Sequence, residues 1–331
     1  NKRKRGISML ITLPEALREL KQADSFLITT HANPDGDAIG SMLGLHHFLT
    51  DLGKTDITSC SHDAVPKLFS WLPLADSIVS PVEMRDSYDL LVIIDVAQRG
   101  RIGNVSEGIA DSQRILVLDH HLEKTPCGTV NFMDHTLASA SEIVALLYKE
   151  ANIEITPSAA ECTYVGLATD TGGFRYANTN ERAHAHAQIM VSKGINVSEI
   201  NSRVFDDISL KTLALTKIVL NALVVSTCGR FTYSTLTLDD MNSVNATPED
   251  LDGLVNYTRN IEGVVVGALF REIPNDKTKV SMRSKTDFNS NECLNGFGGG
   301  GHAGAAGATI NQPLAICREA VLNAMVAQLG E

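Results

Sequence analysis

The stretch His31-Ala-Asn-Pro-Asp35-Gly-Asp37 follows a short β-branched run, Phe26–Thr30, and precedes a helical pattern that continues to Leu52. It brings one imidazole and two carboxylates together directly after a predicted strand. Taken alone, the stretch also has a purely structural interpretation. Asp and Asn are common in turns, and Asp37 would serve equally well as the N-cap of the helix that follows. The neighbouring strands favour a functional site.

Two further apolar runs also end in acidic residues or histidines. Leu90–Ile94 is followed by Asp95, and Arg114–Leu118 is followed by Asp119-His120-His121. Such compact runs are typical of strands that a parallel sheet buries on both faces. Because open parallel sheets bind ligands at their carboxyl edge, these side chains are candidates for one shared site. A fourth candidate is Asp170, in a glycine-rich turn where a role as a simple turn residue stays open.

The alternation of strand-like and helix-like segments predicts an α/β fold, with an N-terminal doubly wound parallel sheet over residues 1–190. Within it, Ser139-x-x-Glu142 has the pattern of a capping box that opens a helix. Residues 191–225 are expected to form a helical linker. In residues 226–331 strands outnumber helices, so we expect a smaller α+β domain. Three runs there have the pattern of strands: Phe231–Leu238, Val264–Phe270 and Lys279–Arg283.

Several carboxylates and imidazoles at one sheet edge repel each other and lose hydration, and bound cations resolve that cost. Oxygen and nitrogen donors without a thiolate favour Mn²⁺, with Mg²⁺ or Co²⁺ as alternatives. A cysteine-rich structural zinc site is excluded, because none of the six cysteines lies near these motifs. The donors exceed what one ion needs. We therefore expect two ions bridged by a carboxylate, for which the strand-end Asp95 is the best candidate.

At this point the chain resembles a known family. HANPDGDA at 31–38, Asp95, the DHH triplet at 119–121 and Asp170 occur in the order found in the DHH phosphoesterases. The segment Gly298-Gly-Gly-Gly-His-Ala-Gly-Ala-Ala-Gly307 is similar to the signature of their DHH-associated substrate-binding domain. The resemblance spans most of the chain. Within the family, the layout is most similar to the short-oligonucleotide exonucleases that also act as 3′-phosphoadenosine 5′-phosphate (pAp) phosphatases.

The resemblance implies a role for each matching residue. The implied metal ligands are His31 and Asp35 for one Mn²⁺, Asp37, His120 and Asp170 for the other, and Asp95 between the two. His121 would face the phosphate as an electrostatic stabiliser or as the acid that assists the leaving oxygen. Asp119 would orient the histidines from behind, which fixes the tautomer of a ligating imidazole.

The glycine run has two interpretations from composition. Four glycines in a row are typical of a flexible linker, but the following His302 and the alanines favour a segment whose backbone N–H groups approach an anion. The resemblance implies that Gly299, Gly300, Gly301 and His302 contact substrate phosphate. It implies the same for Arg283, which the sequence alone also allows to be an exposed strand arginine.

The predicted function is hydrolysis of very short oligoribonucleotides, of pAp, or of both, by a two-metal mechanism. Three alternatives stay open. The first is a phosphodiesterase for cyclic dinucleotides or for linear dinucleotides of the pApA type. The second is a manganese inorganic pyrophosphatase, and the third is a non-catalytic nucleotide-binding module.

The amino-acid composition limits which nucleic-acid and membrane partners are compatible with the chain. The net charge of −11, from 28 basic and 39 acidic residues, argues against a long duplex nucleic acid held on a broad basic face. A short single-stranded RNA or a small phosphorylated nucleotide, drawn to bound metals, is compatible with it. The sequence has no apolar run of about 18 residues that would predict a membrane span. Widely spaced cysteines are typical of reduced thiols, so we expect a cytoplasmic enzyme without a membrane partner and leave open a homodimer.

Overall fold

The computed structural model describes residues 9–110, 113–285 and 287–330. The chain divides into two units, residues 1–207 and 208–331. Each unit is built around its own sheet and its own core. In the described part of the chain, no helix is both long enough and apolar enough to cross a membrane.

The first unit contains a six-stranded sheet in which every pair of neighbours is parallel. Its strands are β1 (Met9–Leu10), β2 (Ser25–Thr29), β3 (Asp56–Cys60), β4 (Leu90–Ile94), β5 (Ile115–Asp119) and β6 (Val130–Met133). The strand order is β1-β6-β5-β4-β2-β3. The chain therefore runs outward from β2 to β3 and then returns past β2 to β4. Such a reversal leaves a crevice at the carboxyl ends of β2 and β4, which is where open α/β sheets bind ligands.

Helices cover one face of this sheet. They are α1 (Leu13–Gln22), α2 (Gly36–Asp51), α3 (Ala140–Ala151), α4 (Pro157–Asp170) and α5 (Glu181–Val191). Their apolar side chains form the larger core with every second residue of the central strands, such as Val92 and Leu116. The other face carries Leu91 and Val117, and a 3-10 segment over Arg99–Glu107 covers it. The predicted parallel sheet, buried on both faces, is confirmed.

Helices α2 and α4 approach each other unusually closely. Gly36, Gly40 and Gly44 recur every four residues along one side of α2. A Cβ atom at Gly40 would lie 2.5 Å from the carbonyl oxygen of Cys162 and 2.8 Å from the backbone nitrogen of Gly166. The two backbones are thus in direct contact. The contact brings together the helix ends that carry Asp37 and Asp170.

The second unit contains a mixed six-stranded sheet of order β11-β12-β10-β9-β8-β7, in which only β8 and β9 are parallel. Its strands are β7 (Val224–Val225), β8 (Phe231–Leu236), β9 (Val266–Ile273), β10 (Lys277–Ser284), β11 (Gly300–His302) and β12 (Ala305–Ile310). One face packs against α10 (Ser290–Asn295) and α11 (Leu314–Leu329). The predicted α+β character of this half is confirmed.

The stretch of chain that follows α5 and precedes the second sheet is largely helical. It contains α6 (Val197–Asn201), a π-helical turn (Ser202–Asp206) and α7 (Leu210–Asn221). The short helices α8 (Leu238–Ser243) and α9 (Asn256–Arg259) follow in the second unit. Leu215 and Val219 of α7 pack with Leu236 and Leu269 of the second sheet, so this helix is part of the core of the second unit.

Candidate metal centre and substrate-binding face

The loop after β2 shows which aspartate caps the next helix. Asp35 is the N-cap of α2, because its Oδ1 accepts the backbone N–H groups of Asp37 and Ala38. The alternative in which Asp37 is the cap is therefore wrong. Asp37 lies in the first turn of α2, with its side chain 2 % exposed. Both oxygens of Asp37 instead accept the backbone N–H groups of Ala140 and Ser141, at the start of α3.

Asp95 lies between the histidines of two different strand ends, His31 and His120. It follows β4 with a φ of +63°, a backbone conformation that non-glycine residues seldom adopt and that concentrates at functional sites. Its Oδ2 lies 3.6 Å from His31 Nε2, and its Oδ1 lies 3.4 Å from His120 Nε2. The same Oδ1 is buried and accepts no well-formed hydrogen bond from the described residues. Buried polar atoms normally have a partner, so this oxygen is expected to pair with a cation or with a further hydrogen-bond donor.

The DHH triplet ends β5. Asp119 is fully buried, and its Oδ1 accepts the backbone N–H groups of His120 and His121. The same oxygen lies 2.8 Å from His121 Nδ1, so a carboxylate holds that imidazole by its inner nitrogen. His120 is oriented differently, because its Nδ1 lies 3.3 Å from the carbonyl oxygen of Leu137. Asp119 thus orients the ring of His121 directly and fixes only the backbone of His120.

Two sets of three donors emerge from these elements. In each set, one potential ligand atom of every member lies within 4.8 Å of the others. The sets are His31, Asp35 and Asp95, which we call group A, and Asp37, His120 and Asp170, which we call group B. Asp95 and His120 also approach each other with Asp119 and His121, so the two groups adjoin. The structure brings all eight residues predicted for the N-terminal site to one sheet edge.

The donor chemistry of both groups fits a hard or borderline divalent cation. The donors are carboxylate oxygens and imidazole nitrogens, with no sulfur. His31 Nδ1 lies 3.0 Å from the carbonyl oxygen of Ala32, and His120 Nδ1 faces that of Leu137. A carbonyl only accepts, so Nδ1 carries the hydrogen and Nε2 faces the carboxylates, as in most metal-ligating histidines.

The electrostatics of these carboxylates and imidazoles also favour a bound cation. Burial and the nearby charge of Asp95 raise the pKa of Asp37 to about 7. Burial lowers the pKa of His31, but the carboxylate of Asp95 outweighs it and raises that pKa to about 9. The imidazoles of His120 and His31 hold the pKa of Asp95 below its ordinary value, although burial opposes them. Protons on the histidines therefore occupy the place that cations would take.

The predicted substrate residues of the second unit share one face of its sheet. Arg283 of β10, Ala305 of β12 and His302 of β11 form one cross-strand row, so the arginine and the histidine project from the same side. With neighbouring strands about 4.8 Å apart, their backbones are separated by about 10 Å. The residue between them is a small alanine. Lys279 and Arg271 lie in a further row of the same face.

The glycine run forms part of this sheet, since Gly300–His302 is its edge strand. A flexible linker is therefore excluded. Gly299 and Gly301 are needed for close backbone packing, because a Cβ at Gly299 would lie 2.8 Å from the carbonyl oxygen of Gly307, and one at Gly301 would overlap Ala305. A Cβ at Gly300 would meet no described atom within 4 Å. Gly298 is open in the same way, but of the two only Gly300 lies in the strand.

The segment 136–141, which leads from β6 into the first turn of α3, was not predicted to be part of the site. Its Leu137 carbonyl contacts His120, and its backbone N–H groups at 140 and 141 contact Asp37. The Ser139-x-x-Glu142 pattern located the start of the helix correctly, since Ser139 Oγ accepts the N–H of Glu142. It gave no sign that the helix points at a carboxylate 103 positions earlier in the chain.

Two family models and several curated relatives match the chain. The model of the DHH family N-terminal domain matches residues 25–167, and that of the DHHA1 domain matches residues 229–331. The bifunctional oligoribonuclease and PAP phosphatase of Thermus thermophilus is 31 % identical over 86 % of this chain and 83 % of its own length. The enzyme of the same name from Bacillus subtilis is 26 % identical over 89 % and 92 %.

A solved structure supports the fold over nearly the whole chain. The crystal structure of an exopolyphosphatase-related protein from Bacteroides fragilis superposes with a TM-score of 0.87 at 28 % identity, covering 96 % of this chain and 95 % of that one. The matched family models include every residue of groups A and B except Asp170, which follows the first match by three positions. The sequence matches, the fold and the carboxylate–histidine edge agree: the chain belongs to the DHH family of phosphoesterases and carries a DHHA1 domain.

Proposed function

We propose that the chain is a metal-dependent hydrolase of very short oligoribonucleotides and of pAp. The observation that carries the proposal is the pair of adjoining donor groups at the carboxyl edge of the first sheet. Relatives named as oligoribonuclease and PAP phosphatase support the choice of substrates. The proposal assigns catalysis to residues 1–190, a helical linker to 191–225 and substrate binding to 226–331. A cytoplasmic location and a homodimer stay predictions.

Groups A and B would each hold one divalent cation, with Asp95 shared between them. Mn²⁺ is the ion we propose, with Mg²⁺ or Co²⁺ as alternatives, because the donors are oxygen and nitrogen. When bound, two such ions lower the pKa of water and neutralise the charge of a phosphoryl group. The chain supplies a rigid frame for them, since Asp37 and Asp95 are buried and the backbone N–H groups of Ala140 and Ser141 hold Asp37.

His121 is the proposed proton donor to the leaving oxygen. Its side chain is 24 % exposed, whereas that of His120 is 10 % exposed, so it has the better access to a substrate. Asp119 lies against its Nδ1, which leaves Nε2 as the atom that gives up a proton. A buried carboxylate also stabilises the protonated imidazole that must exist before the transfer. Asp119 would therefore set the orientation of His121.

The sheet face with Arg283 and His302 is the proposed binding surface for a substrate phosphate. An arginine on a strand offers a planar fork of donors that matches phosphate oxygens. Gly300 allows the backbone of β11 to be approached closely. Lys279 and Arg271 follow in a parallel row, and the carboxylate of Asp252 lies near both of them and near Arg283.

Turnover of defined substrates tests the proposal. The purified chain is assayed with Mn²⁺ on pAp, on 5′-phosphorylated RNAs of two to five nucleotides, on a longer RNA, on linear pApA and on pyrophosphate. We expect phosphate release from pAp and mononucleotides from the short RNAs, with little turnover of the long RNA or of pyrophosphate. An Asp95→Asn variant should lose at least about 100-fold in kcat. Asp76→Asn, an exposed acidic residue on the same unit, is the matched control.

The outcomes separate the alternatives. Rapid turnover of pyrophosphate alone would favour an inorganic pyrophosphatase, and rapid turnover of pApA alone would favour a dinucleotide phosphodiesterase. Binding of nucleotides without turnover of any substrate, with Mn²⁺ bound, would indicate a non-catalytic module and would refute the proposal.

A further inference from the structure

Glu142 differs from an ordinary helix-capping residue in its burial. It occupies the third position of α3, where a glutamate usually reaches back to the helix start while exposed to water. Here its exposed fraction is 0 %. Its Oε2 accepts the N–H of Ala138, and its Oε1 lies 2.7 Å from His186 Nδ1 on α5. A buried carboxylate is costly, so each of its oxygens needs such a partner.

Glu142 holds the segment 136–141 through the N–H of Ala138, and His186 in turn holds Glu142. Arg182, one turn before His186 on α5, donates from Nη2 to the carbonyl oxygen of Thr136. Asn178 donates from Nδ2 to the carbonyl oxygen of Ala138 at 3.0 Å. Groups from outside the segment thus hold two of its carbonyls and one of its N–H groups.

The same segment contacts two members of group B, Asp37 and His120, and Asn178 links it to the third, Asp170. The N–H groups of residues 140 and 141 donate to Asp37, and the carbonyl of Leu137 faces His120 Nδ1. Asn178, which holds the segment at Ala138, also donates to the backbone carbonyl of Asp170 at 3.1 Å. For group A, the described contacts of His31 and Asp35 run to their own loop and to Asp95 instead.

We propose that Glu142 and His186 are positioning residues for one of the two metal positions, group B, and leave the position at group A unaffected. The inference rests on the proposed function, because it assumes that both groups hold cations. The contacts give the reason. Without Glu142 and His186, the segment 136–141, which orients Asp37 and His120 together, loses part of its support. Partners that orient ligands in this way typically contribute 10- to 100-fold in metal affinity, about the loss expected here.

Titration of the ion-free protein with Mn²⁺, followed by the electron paramagnetic resonance signal of the free ion, tests the proposal. The wild type should take up two ions. Glu142→Gln and His186→Ala should weaken one of the two binding events by about 10- to 100-fold and leave the other unchanged. His186→Gln keeps a side-chain N–H donor and should recover part of the lost affinity.

Tyr148→Phe is the matched control. Tyr148 is a buried residue near the C-terminal end of α3. Its hydroxyl donates to Asp51, the last residue of α2. The change removes one buried hydrogen bond from α3 without touching the segment 136–141. Both ions should bind to it as to the wild type.

The outcomes are distinct for the two proposals. Two unchanged binding events in Glu142→Gln and His186→Ala would overturn this inference alone, as would equal weakening of both events or the same loss in Tyr148→Phe. A wild type that binds fewer than two ions would overturn the proposed two-metal function, and this inference with it.

Discussion

Replacement of Gly40 by alanine tests whether the contact of α2 with α4 sets the geometry of group B. The new Cβ would lie 2.5 Å and 2.8 Å from two backbone atoms of α4, the carbonyl oxygen of Cys162 and the nitrogen of Gly166. Non-bonded contacts of carbon are most favourable at about 3.5–4.0 Å, so the helices must separate by about 1 Å. No side-chain rotation relieves this clash, because both neighbours are backbone atoms.

The cost follows from two opposing terms. Overpacking of a tight interior costs up to about 3 kcal/mol, and alanine is about 1 kcal/mol better than glycine inside a helix. We expect a net loss of about 2 kcal/mol in the free energy of unfolding of the first unit. The separation also moves Asp37 of α2 away from Asp170 of α4. Mn²⁺ affinity at group B should therefore fall.

Urea unfolding in the presence of EDTA measures the first quantity, and Mn²⁺ titration measures the second. Gly100→Ala is the control, because a Cβ at Gly100 meets no described atom within 4 Å. A Gly40→Ala protein as stable as the wild type, with both ions bound normally, would refute the reasoning. Equal destabilisation by Gly100→Ala would show that loss of glycine, rather than helix contact, is responsible.

Three other predictions follow from single residues. Asp119→Asn should lower kcat by about 100-fold and change its pH profile while both Mn²⁺ ions still bind, because the variant no longer holds His121 by a carboxylate. Arg283→Ala should raise KM for pAp by about 10-fold without changing Mn²⁺ uptake, since a charged donor to phosphate is lost. Burial lowers the pKa of His46 to about 4, below its value in the unfolded chain. The contribution of the neutral His46 side chain to stability is therefore complete above about pH 6.5 and is lost as the pH falls toward 4. His46→Gln should flatten this pH dependence of the free energy of unfolding, measured by urea unfolding.

The central strands, and the candidate ligands placed at their ends, were predictable because β4 and β5 are mainly apolar runs and β2 contains the shorter run Phe26–Ile28. Such runs signal burial without any knowledge of tertiary structure, and the residue after each run must then lie at the carboxyl edge. The edge strand β1 and its neighbour β6 were not predicted. They have two and four residues, too few to show a period.

The supporting parts of the site depend on tertiary contacts that no local pattern reports. Glu142 and His186 are 44 positions apart, and only the packing of α3 on α5 joins them. The glycines of α2 do have a signal, a spacing of four residues on one helix side. It has a meaning only once the partner helix is known to be α4, which begins more than 100 residues later.

The central claim is that groups A and B are two adjoining metal positions. Anomalous diffraction at the manganese absorption edge, from crystals grown with Mn²⁺, tests it most directly. We expect two peaks: one among His31, Asp35 and Asp95, the other among Asp37, His120 and Asp170, with Asp95 reaching both. A single peak, or manganese bound elsewhere on the chain with this sheet edge empty, would contradict it.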